Sequence, residues 1–276
     1  MEKELTVIVG PTAVGKTDYS IELAKEYRSP VISCDSRQIF REMKIGTAPP
    51  SPEQLAAVKH YFIFSHSVSQ YYTAGKYELE ALEVINELFK THDRLVVVGG
   101  SGLYVDALCY GLDDFPPADI ELRNQLMERL DKEGIESLRM ELKQLDPESY
   151  HSMDIANRQR VVRALEVTLM TGRKFSSFKT NKAKERPFNI NKIVMSMPRE
   201  ELYGRINRRV DMMFDAGLVQ EVESLLQYRE MPALQTVGYK EIFEYFDGKH
   251  SLETARELIK RNTRRYAKKQ ISYFKR

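Results

Sequence analysis

The chain opens on a run of mostly β-branched apolar residues, Leu5-Thr6-Val7-Ile8-Val9, that stops at a glycine. This pattern predicts a strand, and the amphipathic run over 18–27 predicts a helix after it. A second apolar run predicts a strand at 31–34. Apolar positions Ala81, Leu82, Ile85, Leu88 and Phe89 recur at 3.6-residue spacing, which predicts a helix over 74–90. Leu95-Val96-Val97-Val98 has the continuous apolar character of a buried parallel strand, and it ends in Gly99-Gly100-Ser101-Gly102. Repeated strand–glycine turn–helix units predict an α/β fold, a parallel sheet flanked by helices with right-handed crossovers.

Between the second strand and the helix at 74–90, residues 44–75 carry little periodicity and several prolines. They predict a long structured loop with one short helix at 52–59. After Pro116 and Pro117 the pattern becomes purely helical, with helices at 119–132, 135–145 and 155–171 followed by a lysine-rich loop. A strand at 190–197 then resumes the sheet. An all-helical block between strands of one sheet predicts an inserted subdomain at 115–187, within a core made of 1–114 and 188–276. A helix opens at 197 and closes near Gly217, another covers 221–229, and a long basic helix occupies 252–274 with Tyr266, Tyr273 and Phe274 interleaved.

Composition adds three constraints. With 276 residues, 42% of them hydrophobic, the chain can bury a substantial core. Its two cysteines, Cys34 and Cys109, sit in apolar settings outside any ligand-spaced cluster, which points to a reducing, cytoplasmic location. Neither a signal peptide nor a long uncharged apolar run is evident, so no membrane association is expected. The net charge of +2 hides an asymmetry. Residues 251–276 hold nine Lys/Arg against Glu253 and Glu257, a local +7, while the rest of the chain is −5. A basic end on an acidic body suits a polyanionic partner, although a solvated helix face would have the same composition.

The first glycine turn carries the sharpest chemistry. Gly10, Pro11, Thr12, Ala13, Val14, Gly15, Lys16 and Thr17 lie between a strand and a helix in the phosphate-binding loop pattern. Glycines let backbone N–H groups turn inward, and the helix N-terminus adds partial positive charge. Lys16 adds a full charge, and the Thr17 hydroxyl can ligate Mg²⁺. Asp35 follows the second strand. Residues just past a strand's C-terminal end face the ligand crevice of an open parallel sheet, so Asp35 is expected near whatever the loop holds. Capping of the next turn is the competing role. Arg205 and Arg209, four apart, share one helix face. His60 and His66 have no metal-ligand partners at sensible spacing and are read as structural or polar contacts.

Together, Gly10–Thr17, Asp35-Ser36-Arg37-Gln38, Ile45-Gly46-Thr47-Ala48, Gly99–Tyr104, Arg160–Gly172, Pro198–Leu218, Gln235–Glu241 and Arg265–Phe274 resemble the tRNA dimethylallyltransferases, also called tRNA isopentenyltransferases. The resemblance covers nearly the whole chain in order. It implies transfer of a dimethylallyl group from dimethylallyl diphosphate to N6 of the adenosine just 3′ of the anticodon, in tRNAs reading U-initial codons. Diphosphate leaves. The phosphate loop would hold the leaving group with Mg²⁺, Arg205 would be the cation on it (Arg209 second), and Asp35 would be the base. Thr12 and Ser101 would hydrogen-bond phosphate or the incoming amine. Family segments that touch tRNA correspond to Asp35, Ser36, Arg37 and Gln38, to Ser101 and Arg123, to Gln159, Arg160, Val161, Val162 and Arg163, and to Gln235, Thr236, Val237, Gly238, Tyr239 and Lys240. A monomer is expected. Ser101 stands where threonine is usual, Pro49 where lysine is common, Tyr61 in a frequent His-His pair, and Ser272-Tyr273-Phe274 for Thr-Trp-Phe. The chain ends soon after Phe274, earlier than many relatives, so some C-terminal tRNA contacts are expected to be absent. Two other readings share the first loop. A nucleoside or metabolite kinase would use Asp35 to hold Mg²⁺, and an RNA-binding module would need neither Lys16 nor Asp35.

Overall fold

Strand β1 (Glu4–Val9) is buried along nearly its whole length, because parallel neighbours flank it on both edges. The computed structural model describes residues 2–180 and 182–275. In chain order β1 is followed by α1 (Lys16–Tyr27), β2 (Val31–Ser33), α2 (Pro52–Ala57), β3 (His60–Tyr61), α3 (Ala74–Leu88), β4 (Arg94–Gly99) and α4 (Gly102–Tyr110). Helices α5 (Ile120–Glu133), α6 (Ile135–Leu145), α7 (Pro147–Ser152) and α8 (Arg158–Thr171) come next. The chain closes with β5 (Asn189–Val194), α9 (Arg199–Asp215), α10 (Leu218–Ser224), α11 (Lys240–Phe246) and α12 (Leu252–Phe274).

The chain forms two compact units, Met1–Gly111 with Glu185–Arg276, and Leu112–Lys184. The observed boundaries lie three residues earlier than the composition shift suggests. In the first unit the five strands are parallel in the order β3-β2-β4-β1-β5. Val7 sits opposite Val97 on one side and Lys192 on the other. From β1 the chain runs to β2 and β3 on one side, whereas from β4 it runs to β5 on the other. The turns after β1 and β4 therefore meet at a topological switch point, where open α/β sheets bind ligands. Both cysteines are buried and free. Among the described residues no helix is long and apolar enough to cross a membrane.

The second unit buries Leu126, Leu130, Leu138, Leu142, Val161 and Leu165 among α5, α6 and α8. Its polar core is equally specific. Glu166, fully buried, accepts hydrogen bonds from Asp119 N (3.0 Å), Arg123 Nε (2.9 Å) and Arg163 Nη1 (2.8 Å). Asp146, also fully buried, caps α7 through Ser149 N and accepts from Ser176 N and Oγ.

Several elements differ from expectation for local reasons. Residues 44–75 contain the two-residue strand β3, created only by pairing with β2. The helix predicted over 155–171 starts at Arg158, because the Asn157 side chain caps it by accepting from Arg160 N. Pro147 opens α7 behind the Asp146 cap, a short helix absent from the periodicity. The strand predicted over 190–197 ends at Val194, although Met195 N still reaches Val9 O at 2.8 Å, and Pro198 then starts α9. The helix predicted over 221–229 is α10, earlier and shorter, followed by a 3₁₀ turn at Leu226–Tyr228.

Candidate active site

The phosphate-type loop lies between β1 and α1 as the sequence predicts. Gly15, at φ +99°, occupies a left-handed conformation that side chains rarely adopt, and it delivers the chain into α1. Ala13 and Val14 are buried against Leu202 and Ile206 of α9 and Ala267 of α12. The loop is thus pinned from its back, leaving Thr12, Gly15, Lys16 and Thr17 to line a cleft of about 690 Å³. Lys16 Nζ donates to Gly10 O (3.0 Å) and Pro11 O (2.8 Å). Burial pushes its ammonium down to about 8, opposed by Asp35 and reinforced by Arg209.

Arg205 and Arg209 of α9 line the same cleft. Arg209 Nη1 donates to Thr12 Oγ1 at 3.3 Å, so the Thr12 hydroxyl proton is free to donate elsewhere. Burial, and then Arg205, lowers the Arg209 pKa. Arg205 makes no ion pair among the described residues. Three cations around one loop, none of them in an ion pair among the described residues, create a site for a multiply charged anion.

Asp35 takes both roles the sequence left open. Its Oδ1 accepts from Arg37 N (2.8 Å) and Gln38 N (3.2 Å), a turn cap, while the residue itself lines the cleft and acts electrostatically on Lys16. The turn is tied sideways to the third glycine turn. Ser36 N donates to Ser101 Oγ (2.9 Å), and Ser101 Oγ donates to Ser36 Oγ (3.0 Å). Tyr266 of α12, partly exposed, lines the same cleft. Gln38 Nε2 donates to Thr47 O (3.2 Å) and Ala48 O (2.9 Å), fixing a further wall of the cleft.

Some expected contacts fall elsewhere. Val161 and Val162 are fully buried in the helical unit, and Tyr239 is fully buried with its hydroxyl donating to Glu221 Oε1 (2.7 Å), so these side chains serve the core. Arg123 and Arg163 clamp Glu166. Arg160 and Lys240 are exposed, as is Gln235, while Thr236, Val237 and Gly238 line the cleft. Gln159 is exposed, its amide 3.8 Å from the Met127 sulfur. His66 hydrogen-bonds Glu80 at 3.3 Å and His60 Nδ1 donates to Val58 O at 2.7 Å, as structural contacts require.

Sequence reasoning missed Glu221 and Gln270. Glu221 accepts from the backbone N–H groups of Lys44 (2.8 Å), Ile45 (2.7 Å) and Gly46 (3.0 Å), holding the 45–48 loop against the cleft. For Gln270 a signal existed, because its spacing from Ala267 and Phe274 puts a polar side chain on the buried face of α12. No cluster of three His, Cys, Asp or Glu suited to a metal ion occurs among the described residues.

A cationic glycine-turn cradle and a strand-end carboxylate facing one cleft define an α/β protein with a site suited to a phosphate-bearing ligand. The IPP transferase family description matches residues 38–276. A tRNA dimethylallyltransferase of Bacteroides thetaiotaomicron is 49% identical over 272 residues, 99% of this chain and 88% of that protein. The solved tRNA isopentenylpyrophosphate transferase of Bacillus halodurans is 38% identical, with a TM-score of 0.71 over 100% of this chain and 87% of its own. A eukaryotic dimethylallyltransferase acting on tRNA is 26% identical, with a TM-score of 0.79 over 98% and 69% of the two chains. The chain belongs to the IPP transferase family and is a prenyltransferase.

The lowered Lys16 pKa makes a pH prediction. Above pH 8 the free protein loses the Lys16 proton that a bound anion needs. Affinity for inorganic diphosphate is expected to fall by up to roughly tenfold per pH unit there, the limit for one linked proton. Calorimetric titration should show this fall relative to Lys16→Met, and parallel pH profiles for the two proteins would contradict it.

Proposed function

We propose that this chain transfers the dimethylallyl group of dimethylallyl diphosphate to N6 of the adenosine 3′-adjacent to the anticodon, in tRNAs reading U-initial codons. The observation that carries this reading is the placement of Lys16, Arg205, Arg209 and Asp35 around one cleft.

The donor's C–O bond breaks and its electron pair leaves on diphosphate. Negative charge grows on the bridging oxygen, where the loop N–H groups, Lys16 and Arg205 stabilise it. Thr12, its oxygen already accepting from Arg209, donates its proton to the same phosphate group. The adenine N6 lone pair forms the new C–N bond, and its surplus proton passes to Asp35. A stacked base cannot reach a cleft of this kind, so the adenosine is extruded from the anticodon loop and read on its edges. The residues suit Mg²⁺ in one way only. With no multi-carboxylate cluster among the described residues, the ion would be held by the Thr17 hydroxyl and chiefly by substrate phosphates, the usual habit of Mg²⁺. When bound it would neutralise diphosphate charge.

Incubation with labelled dimethylallyl diphosphate, Mg²⁺ and an anticodon stem-loop, followed by nucleoside analysis, tests the reading. Labelled N6-dimethylallyladenosine is expected, and ATP turnover in its place would favour a kinase.

Helix α12 would grip RNA phosphates through exposed residues such as Lys268 and Lys269. Neutralising both should weaken stem-loop binding and reduce the slope of log affinity against log salt by about 1 to 2. An unchanged slope would mean that these lysines do not face RNA.

A further inference from the structure

The two turns that flank the cleft are joined by one side chain from the last helix. Gln270, almost fully buried, accepts from Thr12 N through Oε1 at 2.8 Å and donates to Gly100 O through Nε2 at 2.8 Å. The orientation of the amide follows from its partners, since an N–H can only donate and a carbonyl can only accept. Contact is close: a Cβ at Gly100 would lie 2.4 Å from Nε2, so a side chain there would displace the Gln270 amide.

Thr12 belongs to the turn that faces the donor phosphate, and Gly100 precedes Ser101, whose hydroxyl holds Ser36 beside Asp35. One amide therefore spans the donor side and the acceptor side of the reaction. It also occupies the Thr12 N–H, so that residue addresses a ligand through its hydroxyl alone. We infer that Gln270 is a positioning residue whose amide sets the separation between the leaving-group turn and the turn that carries the base. This inference rests on the transferase reading above.

The mechanism requires an acceptor at one end of the side chain and a donor at the other. Q270M keeps the length and removes both. Q270E keeps the shape, and its ionised carboxylate would repel Gly100 O, whereas its protonated form restores both hydrogen bonds. Burial beside a carbonyl raises the pKa of that carboxyl. Q270M is expected to lower kcat by about tenfold or more, with KM for the stem-loop within about threefold, because misplacement of reacting groups acts on the chemical step. The kcat of Q270E divided by that of wild type should rise as pH falls from about 8 to 6, a recovery that a purely structural role would not produce. Q270E carries the test should Q270M fail to fold. Retention of wild-type kcat by either folded variant, or loss without acid recovery in Q270E, overturns the inference. Should wild type itself transfer nothing, the transferase reading falls, and the strut is judged by inorganic diphosphate affinity, which Q270M should weaken about tenfold.

Discussion

Replacing Asp35 by asparagine is expected to slow prenyl transfer by about a hundred- to ten-thousand-fold, the range that a positioned general base contributes. The substitution separates the two roles of this residue. Oδ1 caps the turn by accepting from Arg37 N and Gln38 N, and the amide oxygen of asparagine can do the same. What is lost is the capacity to take the N6 proton. Affinity for the stem-loop should therefore stay within a few-fold, and single-turnover rates should carry the whole effect. A variant that turns over normally would remove Asp35 as the base. Asp35→Ala would add loss of the turn, and with it the Ser36–Ser101 connection, so a larger effect there on RNA binding is expected than for asparagine.

The second large effect concerns stability. Glu166→Ala should destabilise the helical unit by about 3 kcal/mol, the lower end of the cost of breaking a buried ion pair. Glu166 is fully buried and receives Asp119 N, Arg123 and Arg163. Its removal takes an acceptor from two guanidinium groups and from the Asp119 N–H, while Arg163 keeps its bond to Pro116 O. The arginine side chains retain 17% and 24% exposure, so hydration recovers part of the loss, which places the effect low in that range. Urea unfolding followed by circular dichroism should show the earliest transition at lower midpoint. With two compact units the curve need not be two-state, so the midpoint is the quantity to compare. Glu166→Gln, which keeps one acceptor, should cost less. An unchanged midpoint for Glu166→Ala would show that the arginines find other partners.

This clamp also shows what a family pattern leaves open. Arg123 and Arg163 match positions associated with RNA contact, and their type fits that role. Their pairing with buried Glu166 depends on how α5 packs against α8, which neither residue's local sequence encodes. Val161, Val162 and Tyr239 illustrate the same point, since the motif is a stretch of chain whereas contact depends on which side faces out.

Local physics accounts for what was legible beforehand. A β-branched run, a glycine turn and an amphipathic helix are short-range features, so the phosphate loop could be read directly from Leu5 to Tyr27. Helix α12 was predicted to its observed ends, 252 and 274, because Ser251 caps it and its apolar spacing is regular. The long structured loop at 44–75 was also legible as irregular. Its strand β3 was not, because two residues become a strand only when β2 lies beside them.

The amino-acid order alone thus determined the phosphate cradle, the α/β class and the carboxylate at a strand end, each set by neighbours within about twenty residues. Only the folded chain decided that Arg209 holds Thr12, that Glu221 seats the 45–48 loop and that Gln270 spans Thr12 and Gly100. Those contacts join positions up to 258 residues apart. Partners so distant in sequence are chosen by strand order and helix packing, and no periodicity along the chain records that choice.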